Sequence, residues 1–357
     1  MTSISTAIAV TIFAPEDLRV VERPLGDLAE GMVRIAFGAG GICGSDMHYF
    51  KHARTGDFAV TSPMVLGHEI AGTIAAINAK ASGKAPGLKV GDRIAVNPSR
   101  WCGECSQCKR GKLNLCERIY FMGSASKTPH MQGGFASYFD AIPAQCIKIP
   151  DHVSFKAAAL GEPLAVCLHA VKRAGPIKGM RGLVIGAGPI GLLTMLAARK
   201  AGLEYVSVAD IAPAPLAFAR RLGATAVIDL AADPEALANL GKTAPFDIIF
   251  EASGAPPGVA SAIAAAWRGG IIVQIGNLPG GAIPVPANAI MSKELDFRGT
   301  FRFDVEFDEA VRMIAAGEID VTSIITAERP LSEAPAALRL ALDRTQSMKV
   351  MLVADAT

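Results

Sequence analysis

Four cysteines within a short stretch decide what this chain can become. Cys102, Cys105, Cys108 and Cys116 lie in CGECSQCKRGKLNLC, a C-x2-C-x2-C-x7-C spacing. Four thiolates so close together can close around one tetrahedral zinc and leave no open coordination position. A closed site of that kind supports folding, not chemistry. Its presence makes a second, open zinc site in the same chain worth seeking.

The remaining cysteines are Cys43, Cys146 and Cys167, isolated and odd in number. Such usage fits a reducing compartment and metal binding better than disulfides. Cys146 and Cys167 have apolar neighbours and are expected to be buried, unreactive thiols. The 357 residues suit two domains, and 51% hydrophobic against 19% charged content allows a large core with little disorder. The formal net charge of +2, with no block of like charges, gives no footprint for nucleic acid or an anionic membrane. No apolar run approaches the ~18 residues of a spanning helix. The opening MTSISTAIAVTIFAPEDLRV lacks the basic and apolar regions of a signal peptide. A cytoplasmic location is expected, with no nucleic-acid or membrane partner.

The chain changes rhythm along its length. Up to about residue 154, short β-like runs such as MVRIAFGAGGIC, HEIAGTIAAI and GDRIAVNPS are separated by Gly and Pro. That punctuation predicts a rolled-up β domain with long loops. From 155 to 295, strands alternate with helices: RGLVIG, GPIGLLTMLAARKAG, YVSVAD, APLAFARRLGA, FDIIFEASG and GGIIVQIGN. This is the βαβ pattern of a parallel sheet covered on both faces. Residues 296–357 return to mixed structure, so a nucleotide domain is expected between two parts of a catalytic domain.

Gly186-Ala187-Gly188-Pro189-Ile190-Gly191 is G-x-G-x-x-G, placed between a predicted strand and a predicted helix. Gly186 allows the tight turn, Gly188 lets a pyrophosphate approach the helix N-terminus, and Gly191 lets helix and sheet pack. Asp210 ends the next strand, where its carboxylate can accept both adenosine-ribose hydroxyls. The following Ile211-Ala212-Pro213-Ala214-Pro215 holds no Lys or Arg for a 2′-phosphate. NAD is therefore expected over NADP.

The open metal site is sought in the β-rich part. Gly41-Ile42-Cys43-Gly44-Ser45-Asp46-Met47-His48 and Gly67-His68-Glu69 supply a thiolate, an imidazole and a carboxylate, which can bind zinc and leave a substrate position. Glu162, in Gly161-Glu162-Pro163-Leu164, is a fourth candidate.

With GGICGSDMHYF, PMVLGHE, the cysteine lobe, GEPLAVCLHA and GAGPIG in this order, the chain resembles the zinc-dependent medium-chain alcohol and polyol dehydrogenases over nearly its whole length. AVNPSRWCGEC, FMGSASKTPHMQGGF, GTFRF and RTQSMKVML resemble the branch that oxidises idonate more closely than the one that oxidises sorbitol. The resemblance implies an α/β chain with a GroES-like catalytic domain over 1–154 carrying both zinc sites. It implies a Rossmann domain over 155–295 and a C-terminal part, 296–357, returning to the catalytic domain. It also implies that Cys43, His68 and Glu69 hold a catalytic zinc, with Glu162 beside it or exchanging with Glu69, and that Cys102, Cys105, Cys108 and Cys116 hold the structural one. Asp46 is expected to accept from the far nitrogen of His68. Ser45 and His48 are expected to relay the substrate proton. Arg302, Arg100 and His130 are candidate substrate contacts. The implied reaction is NAD-dependent oxidation of L-idonate at C5, with sorbitol, xylitol or L-threonine as alternative substrates. Relatives associate as homodimers or homotetramers, so self-association is expected.

Overall fold

The computed structural model describes residues 5–78 and 87–356. The chain forms two compact units, Met1–Glu162 with Phe307–Thr357, and Pro163–Glu306. The sequence reading placed the divisions near 154 and 295; the structure places them later for two reasons. The short helix Phe155–Ala159 packs on the strands of the first unit, with the Phe155 ring lying directly against Gly38. The strand Asp296–Gly299 is hydrogen-bonded into the sheet of the second unit.

The first unit is built on a seven-stranded sheet. Its main path runs Cys146–Lys148, Arg93–Val96, Glu69–Ile77, Val33–Gly41, Lys349–Val353, Ile325–Pro330, and Tyr138–Ala141 also pairs with Val33–Gly41. Val33, Ile35, Ile70, Ile74, Ile94, Val96, Val350 and Leu352 form the core between strands. One pairing matters for function. Gly41 lies opposite Glu69 on one side and Met351 on the other. Segments about 280 residues apart in sequence are thereby brought together beside Cys43.

The second unit is a six-stranded parallel sheet. We number its strands β1 (Arg181–Ile185), β2 (Tyr205–Asp210), β3 (Ala226–Asp229), β4 (Phe246–Glu251), β5 (Ala266–Gln274) and β6 (Asp296–Gly299). Their spatial order is β3-β2-β1-β4-β5-β6, which reverses between β1 and β4. Leu183, Ile185, Ile249, Ile263 and Ile272 fill one core of this unit, as near-continuous apolar strands require. Among the described residues, no helix is long and apolar enough to cross a membrane.

A lysine closes one helix of this unit. Lys293 Nζ donates to the carbonyls of Ile263 and Ala264 at 2.9 Å and of Ala266 at 3.0 Å, at the end of the helix Pro256–Ala265. Charge-assisted bonds to carbonyls at a helix end suggest a cost of about 1–3 kcal/mol when they are removed. Lys293→Met is expected to lower the denaturant midpoint of the unfolding of this second unit accordingly. An unchanged midpoint would show that solvent satisfies these carbonyls equally well.

Candidate active site

The cysteine lobe brings its four sulfurs together, all within 4.8 Å of one another. Cys116 and Cys102 Sγ are 3.5 Å apart, and Cys102 and Cys108 Sγ are 3.9 Å apart. Sulfurs around a zinc at ~2.3 Å would be separated by about 3.8 Å on the edges of the tetrahedron. Backbone N–H groups, chiefly those of Glu104 and Cys105, hold the Cys102 thiol down at about 6. Burial pushes the Cys108 thiol the other way, up to about 12, so it is in spacing that the lobe fits a closed zinc site. Cys146 and Cys167 are buried and form no disulfide, and burial pushes the Cys146 thiol up to about 12. Neither is poised to react.

The second donor set is Cys43, His68 and Glu69, whose ligand atoms also lie within 4.8 Å of one another. Cys43 immediately precedes the helix Gly44–His52, and Glu69 opens the strand Glu69–Ile77. Ile42 is tied to the sheet by its N–H to Val350 O at 3.1 Å, which fixes the approach to Cys43. Burial, then the Glu69 charge, pushes the Cys43 thiol up to about 11. Burial also raises Glu69, and it raises Glu162 to about 8. One half-buried and two buried acids that are hard to ionise together are what a divalent cation would relieve. His68 Nδ1 is buried with no hydrogen-bond partner. Soft, borderline and hard donors of this mix suit zinc. Glu162 is buried and feels the charges of His68, Glu69 and Cys43, but it lies outside the converging set.

Two neighbours hold the donors. Asp46 is fully buried, and its carboxylate accepts from Cys43 N–H at 3.0 Å and Gly67 N–H at 3.4 Å. Its distance to His68 Nδ1 is 3.8 Å, beyond hydrogen-bonding reach. The expected imidazole contact is thus replaced by a grip on the backbone of both ligand segments. Lys349, 3% exposed, was not anticipated from the sequence. Its Nζ donates to Glu69 Oε1 at 2.7 Å and to Ile42 O at 2.9 Å. The ammonium offsets one buried carboxylate and fixes where it points.

Ser45 is half-buried in the first turn of the helix, and His48, one turn on, is exposed. Partial desolvation, then the nearby His52, lowers the His48 pKa. Arg100 is exposed and stacks over the Tyr120 ring at 4.6 Å. Arg302 adopts a left-handed backbone, with φ 53°, and its guanidinium lies over the Phe301 ring at 4.9 Å. His130 is different. Its Nε2 accepts from Thr61 N–H at 2.8 Å, and its Nδ1 lies 2.9 Å from Lys127 O. With both ring nitrogens taken by backbone, this buried ring ties two loops together and has none left for a substrate.

The dinucleotide fingerprint occupies the turn from β1 into the helix Pro189–Lys200. Gly186 has φ +96°, and a Cβ there would fall 2.7 Å from Ser253 N. A Cβ on Gly188 would meet no protein atom within 4 Å. The open space lies at the helix N-terminus, where a pyrophosphate would be cradled. Ile190 O accepts from the Cys167 thiol, which packs the helix onto its neighbour. Asp210 accepts from Ala187 N–H at 2.7 Å and Ala212 N–H at 2.9 Å.

Comparison with known proteins agrees with both halves. Residues 29–151 match the alcohol dehydrogenase GroES-like domain family, and residues 189–316 match the zinc-binding dehydrogenase family. The L-idonate 5-dehydrogenase (NAD(P)(+)) of Escherichia coli K12 is 37% identical over 88% of this chain and 89% of its own. Sorbitol dehydrogenase of Bacillus subtilis 168 is 32% identical over 96% of both chains. The crystal structure of the Escherichia coli L-idonate 5-dehydrogenase superposes with a TM-score of 0.91 at 34% identity, covering 98% of each chain.

Proposed function

Since this chain belongs to the zinc-dependent medium-chain alcohol and polyol dehydrogenases, we propose that it oxidises a sugar acid, L-idonate at C5, with NAD as acceptor. The observation that carries alcohol oxidation is the converging thiol, imidazole and carboxylate of Cys43, His68 and Glu69. When bound there, zinc supplies the Lewis acidity that lets a hydroxyl ionise near neutral pH, and the nicotinamide supplies the hydride acceptor.

The chain's own residues do the rest. Lys349 and Asp46 hold the donors in place. Ser45 Oγ takes the substrate proton and passes it toward His48 and solvent. The two residues are three apart on one helix and so share a face. The lowered His48 pKa keeps its ring neutral and able to accept a proton at pH 7. Ser45→Ala is expected to lose about a hundredfold in kcat, and His48→Ala about tenfold, as general-base losses go. Both losses shrink as pH rises, because hydroxide then takes the proton directly. Equal and mild losses in pH–rate profiles of the two variants would remove the relay.

Similarity to the idonate enzyme supports the sugar acid, and Arg100 and Arg302 are the proposed carboxylate contacts, suited to bidentate pairing. Asp210, a fixed carboxylate with no basic residue in the five that follow, supports NAD over NADP. A polyol substrate is the second reading, favoured by the match to sorbitol dehydrogenase over 96% of the chain. Steady-state kinetics on L-idonate, sorbitol, xylitol and L-threonine with each cofactor test all of this. A higher kcat/KM on uncharged polyols would overturn the sugar-acid assignment, and a higher kcat/KM with NADPH than with NADH would overturn the NAD preference.

A further inference from the structure

Glu251 is a buried acid that takes no part in the chemistry above. It ends β4 and is 0% exposed. Its Oε1 accepts from the Ser253 N–H at 2.9 Å and from the Ser253 hydroxyl. Its Oε2 accepts from Gln274 Nε2 at 2.5 Å and, more weakly, from the Gly254 N–H at 3.4 Å. These partners are all neutral. Three of them are N–H groups, which only donate, and they reach both carboxylate oxygens as acceptors. A Cβ at Gly258 or Gly276 would fall 2.7 or 2.9 Å from the carboxylate oxygens. Glycines therefore close the cage, and among the described residues no basic side chain is hydrogen-bonded to this carboxylate.

The position of this charge gives it meaning. Glu251 pairs with Ile185, the residue before Gly186, and β1 and β4 flank the point where the strand order reverses. In open α/β sheets, ligands bind past the carboxyl ends of the strands at that point. The Ser253 turn that the carboxylate holds also packs against Gly186. NAD+ and NADH differ mainly by the positive charge on the oxidised nicotinamide. A fixed negative charge in a desolvated crevice stabilises the cationic form relative to the neutral one.

We infer that Glu251 is a positioning residue whose carboxylate biases the dinucleotide crevice toward NAD+ over NADH. This rests on the dinucleotide reading of the G-x-G-x-x-G turn. The test measures dissociation constants of NAD+, NADH and ADP-ribose by calorimetry on zinc-replete, full-length protein, wild type and Glu251→Gln. The Kd ratio of NAD+ to NADH is expected to rise about three- to tenfold in the variant. ADP-ribose, which lacks the nicotinamide, reports any loss common to all ligands. An unmoved ratio, with all three ligands weakened alike, would overturn the inference and leave a purely structural turn. If Glu251→Gln does not fold, the double variant Glu251→Gln, Gln274→Glu keeps one carboxylate and one amide in the cage. It is expected to retain the wild-type ratio, and a threefold shift toward NADH would overturn the inference. Wild-type protein that bound neither dinucleotide would sink the dinucleotide reading itself, whereas binding of both with an unmoved ratio sinks this inference alone.

Discussion

His68→Ala protein is expected to hold one zinc per chain where the wild type holds two, and to lose on the order of a thousandfold in kcat. The imidazole is one of three converging donors, with the Cys43 sulfur and the Glu69 carboxylate. Without it, a half-buried thiol pushed up to about 11 and a lysine-paired carboxylate remain. Neither is a strong ligand alone: the thiol is protonated at neutral pH, and the carboxylate is already offset by Lys349. The loss of several kcal/mol of charge stabilisation corresponds to that drop in rate, since about 1.4 kcal/mol is tenfold. Folding should survive, because the cysteine lobe is untouched and His68 makes no hydrogen bond through Nδ1. Metal analysis, circular dichroism and turnover on one preparation separate these effects. Two zinc ions per chain in the folded variant would show that His68 is not a ligand.

The parts of the site legible in the sequence are those made of contiguous residues. The cysteine spacing, the glycine turn after an apolar strand and the paired His68-Glu69 each carry their chemistry locally. The β-rich first unit and the parallel sheet of the second were legible for the same reason, because their periodicities are local. Lys349 was not legible as a partner of Glu69. A lysine heading the apolar run KVMLV was the available signal, since charges are seldom buried unless paired. Only the pairing of Glu69 and Met351 across Gly41 explains why it is needed there. His130 shows the reverse error: a histidine in a loop reads as a possible ligand, but two backbone groups occupy it, the Lys127 carbonyl three residues away and the distant Thr61 N–H. Asp46 was placed near the right partner and given the wrong bond. Its carboxylate holds the N–H groups that lead into Cys43 and His68, an arrangement that depends on how two loops meet. The division between units was misplaced because Phe155 and the Asp296 strand are assigned by what they pack on, and composition does not show that.

Gly188→Ala and Gly191→Ala are expected to abolish tight dinucleotide binding by different physical routes. At Gly191 a methyl would fall 1.8 Å from Gly186 O, a backbone atom that cannot swing away. The helix must lift from β1, with an overpacking cost of about 1–3 kcal/mol or more. Gly191→Ala should therefore lower the melting temperature and dinucleotide affinity together. At Gly188 a methyl meets nothing in the protein, and the backbone there, φ −69° and ψ 180°, is open to any residue. Its melting temperature should stay close to wild type, apart from a helix-capping effect of about 1 kcal/mol. Its affinity for NADH should still fall by roughly a hundredfold, because the methyl occupies the space in which a pyrophosphate meets the helix N-terminus. Fluorescence titration with NADH and thermal melts on both variants distinguish the two routes. A Gly188→Ala protein that binds NADH as the wild type does would mean that the open space beside residue 188 is not where the phosphates lie.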